Sequence, residues 1–401
     1  MSKLKISDFL RLGIISSVTQ LLVLVIVTGH IGTEARGFYV LIYFHCSIIA
    51  MVIRLGLDAS IIREGRQRPA EKYDLLFHAL FVSVSLYVLL SSIYTLIIYK
   101  YYPVSIWWMI FGIQIIILLE TVGLFVGSLK LISDKGISYP LYICITPIAQ
   151  FVILIIIITL QERNIDLTQF VQVVLFTHIG RLLFVYWIEK NDVRLQRLDK
   201  SVFFYQVLRR IHISAGTYLS SLIEFAQQRI DLVIVSALLS LSDLGVYSLA
   251  LASERITVVG TAIANHRLSR ASKTTETRLM KIVSLQVIFA VVIASLVIMT
   301  KGFFIKILPR EFQKILEILP YFILAFGLTS SVKILRADLL INYSQNMLII
   351  TSSIGLTASL IIGYPLISNL GLVGAGYSIL LQSLVVTTFT VLLYMRTKNN
   401  G

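Results

Sequence analysis

The residues best suited to chemistry lie where hydrophobicity should exclude them. Between Ile213 and Ser236 the polar side chains Thr217, Ser220, Ser221, Glu224, Gln227, Gln228 and Asp231 recur at helical spacing. At about 100° per residue they share one face roughly 120° wide. Two carboxylates set among hydroxyls and amides can hold a proton or a cation and can hydrogen-bond a hydroxylated ligand. Such a stripe on a membrane helix lines water, or it bonds to neighbouring helices. Arg229 falls about 140° from Glu224 on the same wheel. It either snorkels, pairs with another helix or reaches the same cavity.

Further ionisable groups interrupt apolar runs: Arg54, Glu120, Arg181, Glu254 and Arg255. Charges inside a membrane are costly and commonly face a cavity or a partner. Arg54 and Asp58 stand at i and i+4, where a helix brings an ion pair together. Snorkelling competes as a reading of Arg181 and Arg255. Gln20 shares a weaker polar face with Gly13, Ser16 and Ser17, and Lys333 and Arg336 mark the end of another apolar run. His45, His78 and His178 show no ligand spacing, and Cys46 and Cys144 read as small apolar fillers. There is no H-E-x-x-H, no G-x-S-x-G and no phosphate-cradling loop. An enzyme is therefore not expected, and neither a metal nor another cofactor is called for.

The elements that must carry these groups are membrane spans. Hydrophobic residues make up 57% of the 401, and only 14% are charged. A span needs about twenty mostly apolar residues. The sequence predicts twelve, over Leu12–Ile31, Phe38–Leu57, Leu75–Tyr99, Ile106–Val126, Tyr139–Leu160 and Leu167–Ile188, then Ile213–Ser236, Leu244–Ala264, Ile282–Ile305, Ile315–Leu335, Met347–Ile367 and Leu372–Tyr394. The seventh is the least apolar. Lys3, Lys5 and Arg11 precede the first run, which is too long for a signal peptide and is expected to be retained.

With the N-terminus placed in the cytoplasm, 24 of the 35 Lys and Arg residues fall on the cytoplasmic side and 7 outside. The remaining four are Arg54, Arg181, Arg229 and Arg255. The positive-inside bias predicts two cytoplasmic termini. The outer cluster from Lys301 to Lys314 runs against it. The formal charge of +14 is thus an orientation signal, spread over short loops, and no nucleic-acid surface is expected.

The halves resemble each other. Gly37 and Tyr39 in "HIGTEARGFYVL" match Gly245 and Tyr247 in "LLSLSDLGVYSLA" at a shift of 208, and the same shift carries Gln20 to Gln228 and Thr28 to Ser236. Pro103 and Pro309 close similar segments at nearly that shift. The expected organisation is an N-terminal six-helix bundle over 1–190, a cytoplasmic connection over 191–211 and a C-terminal six-helix bundle over 212–401. Parallel repeats of this kind are a transporter architecture.

Four passages resemble the polysaccharide (O-antigen type) flippases of the multidrug/oligosaccharidyl-lipid/polysaccharide exporter superfamily. They are "GFYVLIYFHCSIIAMVIRLGLDASIIREG", "QQRIDLVIVSALLSLSDLGVYSLALASERI", "DLLINYSQNMLIITSSIGLTASLIIGYPLI" and the Gly-rich "NLGLVGAGYSILLQSL". The resemblance implies an all-α polytopic membrane protein whose two six-helix bundles form a V around a central cavity. It implies transfer of an undecaprenyl-diphosphate-linked oligosaccharide to the outer leaflet of a bacterial inner membrane, in O-antigen, capsule or related polysaccharide assembly. Polymerase machinery would be a partner, and a monomer is expected.

On that reading Arg54, Arg181, Arg229, Arg255, Lys333 and Arg336 are candidates for the diphosphate, which Arg matches bidentately. Gln20, Ser220, Glu224, Gln228 and Asp231 are candidates for the sugars. Glu120, Glu224, Asp231 and Glu254 are candidates for H+ or Na+ coupling. Outward movement of an anion gains about 2.3 kcal/mol per charge per 100 mV from an inside-negative potential. A drug exporter of the same superfamily shares these features. A membrane-embedded polymerase or acyltransferase fits less well, because the largest connection, from Lys190 to His212, is short and cytoplasmic by the charge count.

Overall fold

The structure is a computed structural model that describes residues 6–67, 72–98, 103–132, 139–161, 165–189, 200–257, 261–264, 276–307, 310–342 and 345–399. The helices are α1 (Ile6–Arg54), α2 (Leu57–Gln67), α3 (Lys72–Ile98), α4 (Trp107–Ile132), α5 (Tyr139–Gln161), α6 (Leu167–Glu189), α7 (Lys200–Leu238), α8 (Leu241–Leu251), α9 (Glu276–Met299), α10 (Lys301–Ile307), α11 (Ile315–Asn342) and α12 (Gln345–Asn399). Short 3-10 turns join several of them, including Ala252–Thr257 after α8.

Among the described residues, eight helices are long and apolar enough to cross a membrane. Two of these are broken at glycines in conformations that an L side chain resists, Gly32 (φ 78°) in α1 and Gly371 (φ 58°) in α12. Counted as two each, they bring the spans to ten. The seventh and eighth expected spans fall on α7 and on α8 with its 3-10 extension. The fold is therefore the all-α, twelve-span membrane fold anticipated, in which the polar stripe keeps α7 below the hydropathy of the rest. Leu96, Phe176, Trp187, Leu285 and Met299 are widely exposed. In water so much bare apolar surface would drive association, whereas acyl chains cover it in a bilayer.

The chain divides into two compact units. Of the described residues, one takes in those from 41 to 222, and the other those from 6 to 40 with those from 223 to 399. In the first, Leu57, Ile61, Leu75, Ala79, Phe125 and Leu129 pack α2, α3 and α4 into one core. Cys46 and Cys144 are fully buried and form no disulfide, in keeping with small hydrophobes. Lys130 is buried near the end of α4. In the second unit α11 is the central element, packed against α9, α12, α8 and the 3-10 turn. Tyr247 of α8 meets Phe322 of α11 edge-on at 5.3 Å. Close approach of α9 and α11 depends on Gly327, where a Cβ would fall 2.1 Å from Ala290 Cβ.

The expected i, i+4 pair of Arg54 and Asp58 does not form. Leu55 (φ 49°) and Gly56 (φ 70°) end α1 and restart the chain as α2, which removes the helical geometry the pair requires. Arg54 contacts Met51 Sδ instead.

Candidate functional site

Within the second unit, α7, the 3-10 turn, α11 and α12 enclose a cavity of about 670 Å³, counting its open side. From α7 come Glu224, Gln227, Gln228 and Arg229. Glu254 enters from the turn after α8. Thr329, Lys333 and Arg336 line successive turns of α11, and Gln382 and Ser383 face them from α12. Phe326, Val332, Ile379 and Val386 supply apolar wall. The stripe on α7 thus delivers most of its central residues to one hollow, as its periodicity required. Arg229 joins it despite its angular offset.

Two ion pairs organise the charges. Arg336 Nη1 lies 2.9 Å from Glu224 Oε1, and Lys333 Nζ lies 3.3 Å from Glu254 Oε1. Gln228 donates to the same Glu224 oxygen at 3.2 Å. The Arg336 guanidinium also donates to Ser352 Oγ at 2.8 Å, which ties α11 to α12. Gln382 donates to the Gln227 carbonyl at 2.8 Å and locks α12 onto α7. The packing is tight here: a Cβ on Gly355 would fall 2.6 Å from Gln227 Cδ. The Gln227 Oε1 is buried without a hydrogen-bond donor.

Three cationic side chains and two carboxylates line the hollow, so one positive charge is in excess. The carboxylates are partly exposed, at 31% and 35% of their side-chain surface. They act as resident counter-anions to the cations they pair with.

The remaining candidates are placed elsewhere. Asp231 is 2% exposed and turns into the core, where Tyr247 donates its hydroxyl to Oδ2. Arg255 is exposed and does not line the hollow. Gln20 donates to Ser16 Oγ at 3.2 Å, one turn back on α1. The Ser220 side chain lies outside the described residues.

In the first unit, Glu120 and Arg181 are parts of one cluster. Tyr43 of α1 donates its hydroxyl to Glu120 Oε2, and His178 Nε2 lies 3.6 Å from Oε1. Arg181 Nη2 is 3.3 Å from His178 Nδ1, and its guanidinium sits 4.9 Å from the centre of the Tyr142 ring. Gly123 makes room for it, since a Cβ there would fall 2.2 Å from Arg181 Nη2. The sequence flagged both charges but gave no signal that His178 and Tyr43 join them. Gln382, Ser383 and Thr329 of the hollow, and Ser352 on the far side of Arg336, gave no signal either, since each sits in a short run of neutral polar residues within an apolar span.

No family model matches the sequence. No curated protein matches it either. Solved structures do match. A Vibrio cholerae MATE transporter, VcmN, aligns over 99% of this chain and 97% of its own with a TM-score of 0.70 at 12% identity. The chain has the fold of the MATE transporters. An outward-facing multidrug-resistance MATE transporter of the MOP superfamily gives a TM-score of 0.69 at 14% identity over 98% of this chain and 95% of that one. The lipid II flippase MurJ, inward closed, gives 0.66 at 11% identity over 96% and 86%. The likeness runs end to end and concerns the fold.

Proposed function

We propose that this chain is a flippase that carries an undecaprenyl-diphosphate-linked oligosaccharide across a bacterial inner membrane for polysaccharide assembly. The observation that carries the reading is the second unit's hollow, where Arg229, Lys333 and Arg336 outnumber Glu224 and Glu254 among amides and hydroxyls. A diphosphate needs cations, and Arg offers paired donors to its oxygens. Sugars need neutral donors and acceptors, which Gln227, Gln228, Thr329, Gln382 and Ser383 present. The phosphates would displace Glu224 from Arg336 and Glu254 from Lys333. Both termini are placed in the cytoplasm on this reading, and transport is coupled to H+ or Na+ through the displaced carboxylates or Glu120.

The MATE likeness supports a second reading, export of drugs or metabolites, because two of the similar structures are MATE transporters and one of them is a multidrug-resistance protein. Reconstitution separates the two. Proteoliposomes carrying the full chain are loaded with a fluorescent undecaprenyl-diphosphate oligosaccharide, and leaflet exposure is read by a lectin or a membrane-impermeant quencher. Flipping that R336Q abolishes supports the first reading. Absent flipping, together with gradient-driven movement of cationic dyes, establishes the second.

A further inference from the structure

The second unit carries another cavity, lined by different residues, an apolar groove of about 880 Å³, counting its open side, between α9 and α11. Leu285, Ile288, Phe289 and Val292 form its wall on α9, and Gly327 and Ser330 form its floor on α11. The α9 wall is exposed, from 50% at Val292 to 67% at Leu285, so the groove opens on the surface that acyl chains cover. Gln286 is out of keeping with it. This side chain is 8% exposed, lines the groove, and has neither its amide nitrogen nor its amide oxygen hydrogen-bonded. Leaving a buried amide unpaired costs about 1–3 kcal/mol, and no water of the bulk phase is at hand inside a bilayer. Ser330 beside it is already engaged.

The geometry points to a seat for one anionic glycerophospholipid, with an ester carbonyl on Gln286 and an acyl chain in the groove. Lys281 supplies the charge complement. It is exposed, and at about 100° per residue it stands within about 40° of Leu285, on the arc that the groove walls occupy. It lies about 7.5 Å along the helix from Gln286. A phosphate at Lys281 places the glycerol esters deeper, towards Gln286. Gly327 lets α9 and α11 close behind the chain, and Gln286 and Ala290 are one turn apart on the face of α9 turned to α11. The site does not depend on what the protein transports.

Native mass spectrometry of the full chain tests this, using protein extracted from vesicles of equal parts phosphatidylglycerol and phosphatidylcholine. Wild type keeps one phosphatidylglycerol in preference to phosphatidylcholine. In Q286L retention falls about fivefold, the loss of one hydrogen bond. In K281Q lipid is retained but the preference for phosphatidylglycerol disappears. A photo-crosslinking amino acid at Phe289 labels phospholipid in wild type even if Q286L misfolds. Equal retention in Q286L and wild type, an unchanged preference in K281Q, or labelling of detergent alone would overturn the assignment.

Discussion

Gly37 and Gly245 pack against each other's helices in a reciprocal contact. A Cβ on Gly37 would fall 1.9 Å from the Leu241 carbonyl oxygen, and one on Gly245 would fall 2.0 Å from the Thr33 carbonyl oxygen. Each glycine meets the backbone four residues before the other. The two repeats therefore touch through equivalent atoms, as a two-fold contact requires. Thr33 and Ser242 close the seam with a 2.8 Å hydroxyl bond.

G37A and G245A should each destabilise the protein by about 1–3 kcal/mol, because the added methyl meets backbone and cannot be relieved by a side-chain rotation. The double variant should lose less than the sum of the two, since either one opens the same seam. Thermal unfolding in detergent measures all three. Two additive losses would show that the glycines act independently.

This seam was half legible in the sequence. The shift of 208 paired Gly37 with Gly245, but a repeat does not say that its copies touch. The spans were legible because length and hydropathy govern bilayer crossing. The breaks at Gly32 and Gly371 were legible only as short loops. On α7 periodicity gathered Glu224, Gln227 and Gln228 onto one face. It could not separate Asp231, which lies on that face, from the hollow, because Tyr247 on another helix draws it into the core. The Arg336–Glu224 pair spans 112 residues and has no local signature, so it came only from the structure.

Variants of that pair should move in opposite directions. R336Q should weaken binding of a diphosphate lipid about tenfold or more, the loss of a charge-assisted hydrogen bond. R336K keeps the charge but not the paired donors and should fall between. E224Q removes the resident anion, so binding should tighten while turnover slows. Titration of the reconstituted protein with a fluorescent diphosphate lipid reads all three. Weaker binding in E224Q would mean that the carboxylate itself contacts the ligand.

Asp231 and Tyr247 should also differ from each other. Tyr247 donates to Oδ2, whereas Oδ1 is buried with no donor. Y247F leaves the carboxyl group without that donor and should cost about 1.5–3 kcal/mol. D231N preserves an acceptor for the tyrosine and removes a buried acid, so its unfolding temperature should match or exceed that of wild type. If D231N also loses dependence of transport on a proton or sodium gradient, Asp231 is the coupling acid. Unchanged dependence excludes it.

The last prediction concerns pH. Lys314 Nζ lies 3.0 Å from Asp243 Oδ1 at the start of α8, ahead of the span. This accounts for one member of the basic cluster that broke the charge bias. Ser240 caps the helix by accepting from the Asp243 backbone N–H at 3.1 Å and donates its hydroxyl to Oδ2 at 2.8 Å. Partial burial alone would raise the Asp243 carboxyl. Hydrogen bonds from Lys314 and Ser240, with the lysine charge, outweigh it and hold the group below its ordinary value. A carboxylate depressed in the folded state adds stability above its unfolded pKa of about 3.9, and that stability is lost as pH falls through the lower folded value. Lys314 is 64% exposed, so the effect belongs with surface pairs, at about 0.2–1 kcal/mol. Unfolding temperatures of wild type and D243N should therefore differ at pH 6 and converge as the pH drops below 4. K314Q should shrink the difference without abolishing it, because Ser240 still bonds the carboxylate. A D243N gap that is constant with pH would assign the effect to the helix cap alone.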